Sequence, residues 1–199
     1  MNVFFDQTSG NIKGSAFNDV IKGTHFGSDN ISGEVGNDVL VGFGAPNHGF
    51  DTLDGGLGND TIVTVGSNVK AKGGSGSDTF GYIQRSDSSN SDGKLIIEDF
   101  NASDDVLDLS MFKKDQAIVL TDLVANAAEA TIEGKSGVEI SFNGWKLNGN
   151  ETGAGYIFLE SAVKEGSIIK DSQGNELTDS NLDISSGINL STLVLGDVT

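Results

Sequence analysis

The chain has no cysteine in its 199 residues, so it forms no disulfide and has no thiolate for a zinc or iron–sulfur site. Proline occurs once, which argues against a collagen-like or proline-rich disordered chain. Histidine is almost as scarce: His25 and His48 are the only two, both in or near turns, and no His-Glu-x-x-His pair exists. No apolar run approaches the roughly 18 residues of a membrane span, and the N-terminus lacks the basic, apolar, small-residue order of a signal peptide. Any export is expected to use a route that ignores the N-terminus. Positive charge is short as well, with 12 Lys and Arg against 29 Asp and Glu and a formal net charge of -17. Such a surface repels phosphates and anionic lipid, so neither nucleic-acid binding nor direct membrane insertion is expected. It also repels itself unless counter-ions are held, and that points to cations.

Glycine, by contrast, is abundant at 28 residues, and its placement is regular. Gly-x-Asp triplets end at Asp29, Asp38, Asp51, Asp60 and Asp78, with a weaker copy, Phe17-Asn18-Asp19, before them. Two positions after each aspartate stands an apolar residue: Ile21, Ile31, Leu40, Leu53, Ile62 and Phe80. A further, degenerate copy puts Val69 in the aspartate position and Ala71 in the apolar one. The fullest copies read Gly55-Gly56-Leu57-Gly58-Asn59-Asp60-Thr61-Ile62-Val63 and Gly73-Gly74-Ser75-Gly76-Ser77-Asp78-Thr79-Phe80-Gly81.

This spacing has a geometric meaning. Glycines let the chain turn sharply, the aspartate ends the turn, and the next three residues make a short strand whose middle side chain points inward. Two units complete one coil, so each turn stacks on the turn two copies away. One edge then carries Asp19, Asp38, Asp60 and Asp78, and the other Asp29, Asp51 and Val69. Stacked carboxylates repel unless a cation lies between them, and a flexible shell of hard oxygens suits calcium. Three sites are expected on the first edge and one on the second, about four calcium ions in all. Ala45 to His48 are expected to bulge from the second edge as a loop.

The copies resemble the Gly-Gly-x-Gly-x-Asp-x-apolar-x nonapeptide of the repeats-in-toxin (RTX) proteins over roughly residues 10 to 82. The segment Asp99-Phe100 to Asp108-Leu109-Ser110 resembles the piece that follows such repeats in serralysin-type proteases, alginate epimerases and RTX adhesins. The resemblance implies an all-β chain, a right-handed parallel β-roll capped by a β-rich C-terminal region with at most short helices. Residues 1–93 are expected to form the roll and 94–199 the cap with a C-terminal secretion-signal region. The candidate metal-site residues are Asp19, Asp29, Asp38, Asp51, Asp60 and Asp78, with Gly36, Gly58 and Gly76 of the turns. Among the carboxylates Asp99, Asp104, Asp105 and Asp108, Asp99 and Asp108 are singled out for terminal sites.

The second half is less regular. Residues 83–93 break the pattern as a loop. Thr121 to Ala130 has helical composition with Thr121 as N-cap, and Gly137 to Leu147 suggests a hairpin turning at Asn143-Gly144. Gly155 to Leu159 suggests another strand. Trp145, the only tryptophan, is read as a core or rim aromatic. The last 29 residues, from Asp171, contain no Lys or Arg and end in Leu193 to Thr199, which resembles the uncleaved signal of type I secretion substrates.

No Gly-x-Ser-x-Gly elbow and no complete phosphate-loop motif occurs, so no catalytic residue is expected. The expected function is a calcium-binding RTX module that folds outside a bacterial cell and serves the type I secretion and stabilisation of a larger exported protein. The alternatives are a carbohydrate-binding accessory module of a polysaccharide-modifying enzyme, or the anchoring end of an adhesin or surface-layer protein. A polyanionic polysaccharide is disfavoured, because no basic cluster exists beyond Lys113-Lys114.

Overall fold

A computed structural model describes residues 2–5, 10–25, 27–43, 49–65, 68–83, 93–109, 120–141, 146–147, 150–151 and 155–183. The expected loop at Ala45 to His48, the Asn143-Gly144 turn, Trp145 and the Leu193 to Thr199 tail lie outside them. So does all of the expected 83–93 loop except Gly93 and Ile83, which ends a strand.

Strands are numbered along the chain. One sheet contains β1 (Asn2–Phe5), β3 (Asp19–Lys22), β5 (Val39–Gly42), β7 (Thr61–Val65), β9 (Thr79–Ile83), β11 (Val106–Asp108) and β19 (Leu182–Asp183), in that spatial order. The other contains β2 (Asn11–Lys13), β4 (Asn30–Ser32), β6 (Asp51–Leu57), β8 (Asn68–Ser75), β10 (Lys94–Ile97), β16 (Tyr156–Glu160), β13 (Lys135–Ser141) and β12 (Ala127–Ile132). Odd strands stack on odd and even on even, always parallel as far as β11 and β10. This is a β-solenoid of about three turns, as the two-copies-per-coil spacing requires. The β14 (Lys146–Leu147) and β15 (Asn150–Glu151) pair and the hairpin of β17 (Val163–Glu165) with β18 (Ile168–Lys170) form two small separate ladders.

The inward residues line up as the repeat predicts. Ile21, Leu40, Ile62, Phe80 and Leu107 are in direct register on one sheet, and Ile12, Ile31, Leu53, Ala71 and Ile97 on the other. All belong to a single buried cluster. Each fully buried Leu, Ile or Phe contributes roughly 1.5–3 kcal/mol, so the thin core rests on a few residues per turn. The sheets run on past residue 93: Leu95 and Ile97 continue the even row, and β16 adds Ile157 and Leu159 beside them in parallel.

Beyond β16 the direction reverses. Strand β13 pairs antiparallel with β16, and β12 antiparallel with β13. The β12–β13 turn uses Glu133 (φ 50) and Gly134 (φ 81), the left-handed pair that a two-residue hairpin loop needs. Two expectations are corrected here. Helix α1 covers only Leu120–Ala125, while Ala127–Ile132 is a strand. The alanine-rich composition favours helix locally, but six cross-strand partners on β13 override that weak preference. Likewise the strand beginning near Gly137 pairs with β12 and β16, not with a strand ending at Leu147. The strand expected over Gly155 to Leu159 is present as β16. Among the described residues no helix is long and apolar enough to cross a membrane.

Candidate metal centre

Each repeat aspartate sits where the turn meets its strand, and on the first edge its backbone amide is donated to the next carboxylate in place of a carbonyl. Asp19 N–H instead donates to Asp38 Oδ1 at 2.7 Å, Asp38 N–H to Asp60 Oδ1 at 2.7 Å, and Asp60 N–H to Asp78 Oδ1 at 2.9 Å. Asp78 N–H completes the series on Asp105 Oδ1 at 2.9 Å. The result is an unbroken ladder of five buried carboxylates along one edge. On the other edge Gly10 N–H donates to Asp29 Oδ1 and Asp29 N–H to Asp51 Oδ1. Val69 stands in register with Asp51, so that ladder has no next carboxylate, as the repeat implies.

The second carboxylate oxygens distinguish one turn from another. Asp19 Oδ2 accepts from Ser15 N–H at 2.7 Å and Ser15 Oγ–H at 2.8 Å, and Asp105 Oδ2 accepts from Asn101 N–H at 2.8 Å. Asp38 Oδ2 and Asp60 Oδ2 are buried with no hydrogen-bond partner. The cause lies four residues upstream of each aspartate. Glu34 and Gly56, preceding Asp38 and Asp60, have φ of 76° and 104°, whereas Ser15 and Asn101 have no such left-handed backbone. With the turn residue inverted, its amide no longer reaches the carboxylate. Both ends of this ladder are therefore satisfied by the chain, and its interior carries bare oxygens.

On the other edge the chain satisfies both members. Asp29 Oδ2 accepts from Thr24 N–H at 2.6 Å and Thr24 Oγ1–H at 3.1 Å, and Asp51 Oδ2 accepts from Phe43 N–H at 3.1 Å.

Burial is the main force on the interior ladder. It pushes Asp60 up to about 6, with Asp60 donated to by Asp38 N–H and flanked by the charges of Asp78 and Asp38. Asp38 and Asp78 are also raised, chiefly by burial. Asp105 reaches about 6 for the same first reason, with Asp78 and Asp99 adding repulsion. A buried, partnerless carboxylate oxygen costs about 1–3 kcal/mol and more when charged, so these groups call for a positive partner.

What surrounds them is oxygen. A Cβ on Gly55 would strike Asp60 Oδ2 and lie 2.6 Å from the Gly73 carbonyl oxygen, and one on Gly33 would strike Asp38 Oδ2 and lie 2.6 Å from the Gly55 oxygen. The Gly36 oxygen lies against the α-carbon of Gly58, and the Gly58 oxygen against that of Gly76, where φ is 131° and 142°. Side chains are excluded, and carbonyl and carboxylate oxygens from neighbouring turns share the space. Among the described residues no three His, Cys, Asp or Glu side chains converge on one point. A cation here would thus be held by paired carboxylates and backbone carbonyls, a hard-oxygen set that fits calcium.

The remaining candidates fall in different places. Asp99 accepts from Gly73 N–H and Gly74 N–H, each at 2.9 Å, and so seals the last glycine turn. Asp108 is buried on β11, three residues past the ladder. Asp105, not singled out from sequence, occupies the ladder position itself. Its spacing from Asp78 is 27 residues, an odd number of nonapeptides where the ladder needs two, but Leu107 two positions on keeps the apolar offset and is the available clue. His25 packs its ring 4.3 Å from that of Phe43.

A parallel coil with an aspartate at each glycine turn is an RTX-type β-roll. Residues 16–143 match the family described as Peptidase M10 serralysin C terminal, and the chain belongs to that family. It is also similar to the solution structure of the AlgE6R3 subunit from the Azotobacter vinelandii mannuronan C5-epimerase, at 20% identity over 91% of this chain and 82% of that one, with a TM-score of 0.48. No curated protein is matched.

Proposed function

We propose that this chain is a calcium-driven folding module of a larger exported protein and acts as an accessory part, not a catalyst. The observation that carries the reading is the pair of buried oxygens, Asp38 Oδ2 and Asp60 Oδ2, that have no partner within the protein. At the low free calcium of a bacterial cytosol those charges oppose the coil. At external calcium the ions fill the gaps and binding energy becomes folding energy. Passage unfolded through a type I secretion channel, then folding in the extracellular medium, follows naturally, and membership of the serralysin C-terminal family supports that setting.

Ions enter first between Asp38 and Asp60 and between Asp60 and Asp78. The gap between Asp19 and Asp38 is the third of that edge, and the gap between Asp78 and Asp105, with Asp99 nearby, is a further site at its end, beyond the repeat set. The gap between Asp29 and Asp51 completes a set of about four, and it fills less tightly because Thr24 and Phe43 already hold its oxygens.

Calorimetry and circular dichroism of the metal-free chain test this together. A cooperative gain of β structure at sub-millimolar to millimolar calcium, with about four ions bound and no response to magnesium, is the expected result. A chain fully folded in excess chelator, binding no calcium, overturns it.

A further inference from the structure

The last turn of the ladder is fastened from far along the chain. The segment 101–105 ends in Asp105, which receives both Asp78 N–H and Asn101 N–H. Asn181, itself buried, donates through Nδ2 to the Ala102 carbonyl at 2.7 Å and the Asp105 carbonyl at 3.1 Å. Asp171, also buried, accepts Ala102 N–H on Oδ2 at 2.8 Å. These contacts span 69 to 79 residues of sequence.

Neither side chain is free to move. Asp171 Oδ1 accepts from Gln173 N–H and Asn175 N–H, and Asn175 Nδ2 donates to Asp171 Oδ2 at 2.9 Å. Burial pushes Asp171 up, but these bonds from Asn175, Ala102 and Gln173 outweigh it and keep the carboxylate below its ordinary range. Asn181 Oδ1 accepts from Thr178 N–H at 2.9 Å and Thr178 Oγ1–H at 3.0 Å. Immediately after Asn181, Leu182 joins the odd sheet opposite Leu107. The chemistry is specific: two carbonyls need a donor at 181, and one amide needs an acceptor at 171.

We infer that Asp171 and Asn181 are positioning residues for the cation site between Asp78 and Asp105, so that docking of residues 171–183 and filling of that site are one coupled event. The inference rests on the calcium reading of the ladder. Neither residue touches the ladder carboxylates. They act by holding the backbone that carries Asp105, so that no ordering of 101–105 remains when an ion arrives. Coupling of this kind is reciprocal, so calcium in turn holds the segment 171–183 in place.

The test uses the whole chain, wild type beside Asn181→Ala and Asp171→Asn, with calcium calorimetry and residue-resolved amide hydrogen exchange. In both variants one ion is expected to bind roughly tenfold more weakly, within the usual range of coupling effects, while the ions at Asp38 and Asp60 keep their affinity. In the wild type, exchange across 171–183 should slow when calcium is added. Unchanged affinity for every ion in both variants, with 171–183 exchanging faster, shows a local brace only and overturns the coupling while leaving the calcium reading intact. A wild type that binds no calcium removes both. If Asn181→Ala does not fold, Asp171→Asn and the wild-type exchange response decide the matter, and protection of 171–183 that ignores calcium overturns the inference.

Discussion

Asp60 donates its backbone amide to Asp78 Oδ1 at 2.9 Å while its own Oδ2 has no partner. The same residue thus locks one turn to the next and leaves a charge unanswered between them. Stability and the proposed demand for a cation meet in one residue.

Removing that charge separates the two roles. Asp60→Asn keeps the oxygen that Asp38 N–H donates to and removes the buried anion. In chelator the variant should show more β structure by circular dichroism than the wild type, its folding equilibrium favoured by about 1–3 kcal/mol. With calcium present it should bind at least one ion fewer and lose the advantage. A variant less stable than wild type in chelator contradicts the assignment.

The metal-free coil should also be acid-tolerant. Asp60 and Asp105 are raised by burial to about 6, above the ordinary 3.8 they recover on unfolding, so the folded state binds more protons between those values. Stability therefore falls as pH rises from about 4 to about 6 and stays low above it. In chelator the chain should hold more β structure by circular dichroism at pH 4.5 than at pH 7.5, and saturating calcium should flatten the difference.

Gly58→Ala should be far worse than a surface exchange. At φ 131° the new Cβ would drive into the Gly36 carbonyl. The backbone strain alone is about 1–3 kcal/mol, and the clash also displaces an oxygen facing the inter-turn space. Urea denaturation in saturating calcium should show the loss, and the β structure seen by circular dichroism in chelator should fall as well. A loss seen only in calcium would mean that the glycine serves the ion and not the coil.

Leu53→Ala removes a fully buried core side chain between Ile31 and Ala71 and should cost about 2–5 kcal/mol. Lys13→Ala, whose partner Glu34 is also solvent-facing, should change stability by less than about 1 kcal/mol. Equal effects from the two would deny the thin core its role.

What could be read from sequence was whatever repeats. The aspartate offset placed Ile21 opposite Leu40 and Leu53 opposite Ala71, and the failed copy at Val69 marked where the second ladder stops. The free oxygens were not readable in that way. They depend on the sign of φ at Glu34 and Gly56, and a glutamate at the first of these positions gives no hint of a left-handed backbone. Asp105 was hidden by a spacing half a coil longer than the ladder step, and the Asn181 and Asp171 contacts by separations of some 70 residues or more. The strand Ala127–Ile132 was missed because its pairing partners, not its alanines, decide its conformation.

The ladder steps measure 19, 22, 18 and 27 residues, and this unevenness works as a key. A solenoid of identical turns can mispair by one whole turn and still satisfy every aspartate, producing a shortened misfold that differs little in energy. Here a slipped turn must span its neighbour with a segment of the wrong length, so the connecting residues strain or buckle. The irregular copies thereby give a repetitive chain one register in which every rung closes.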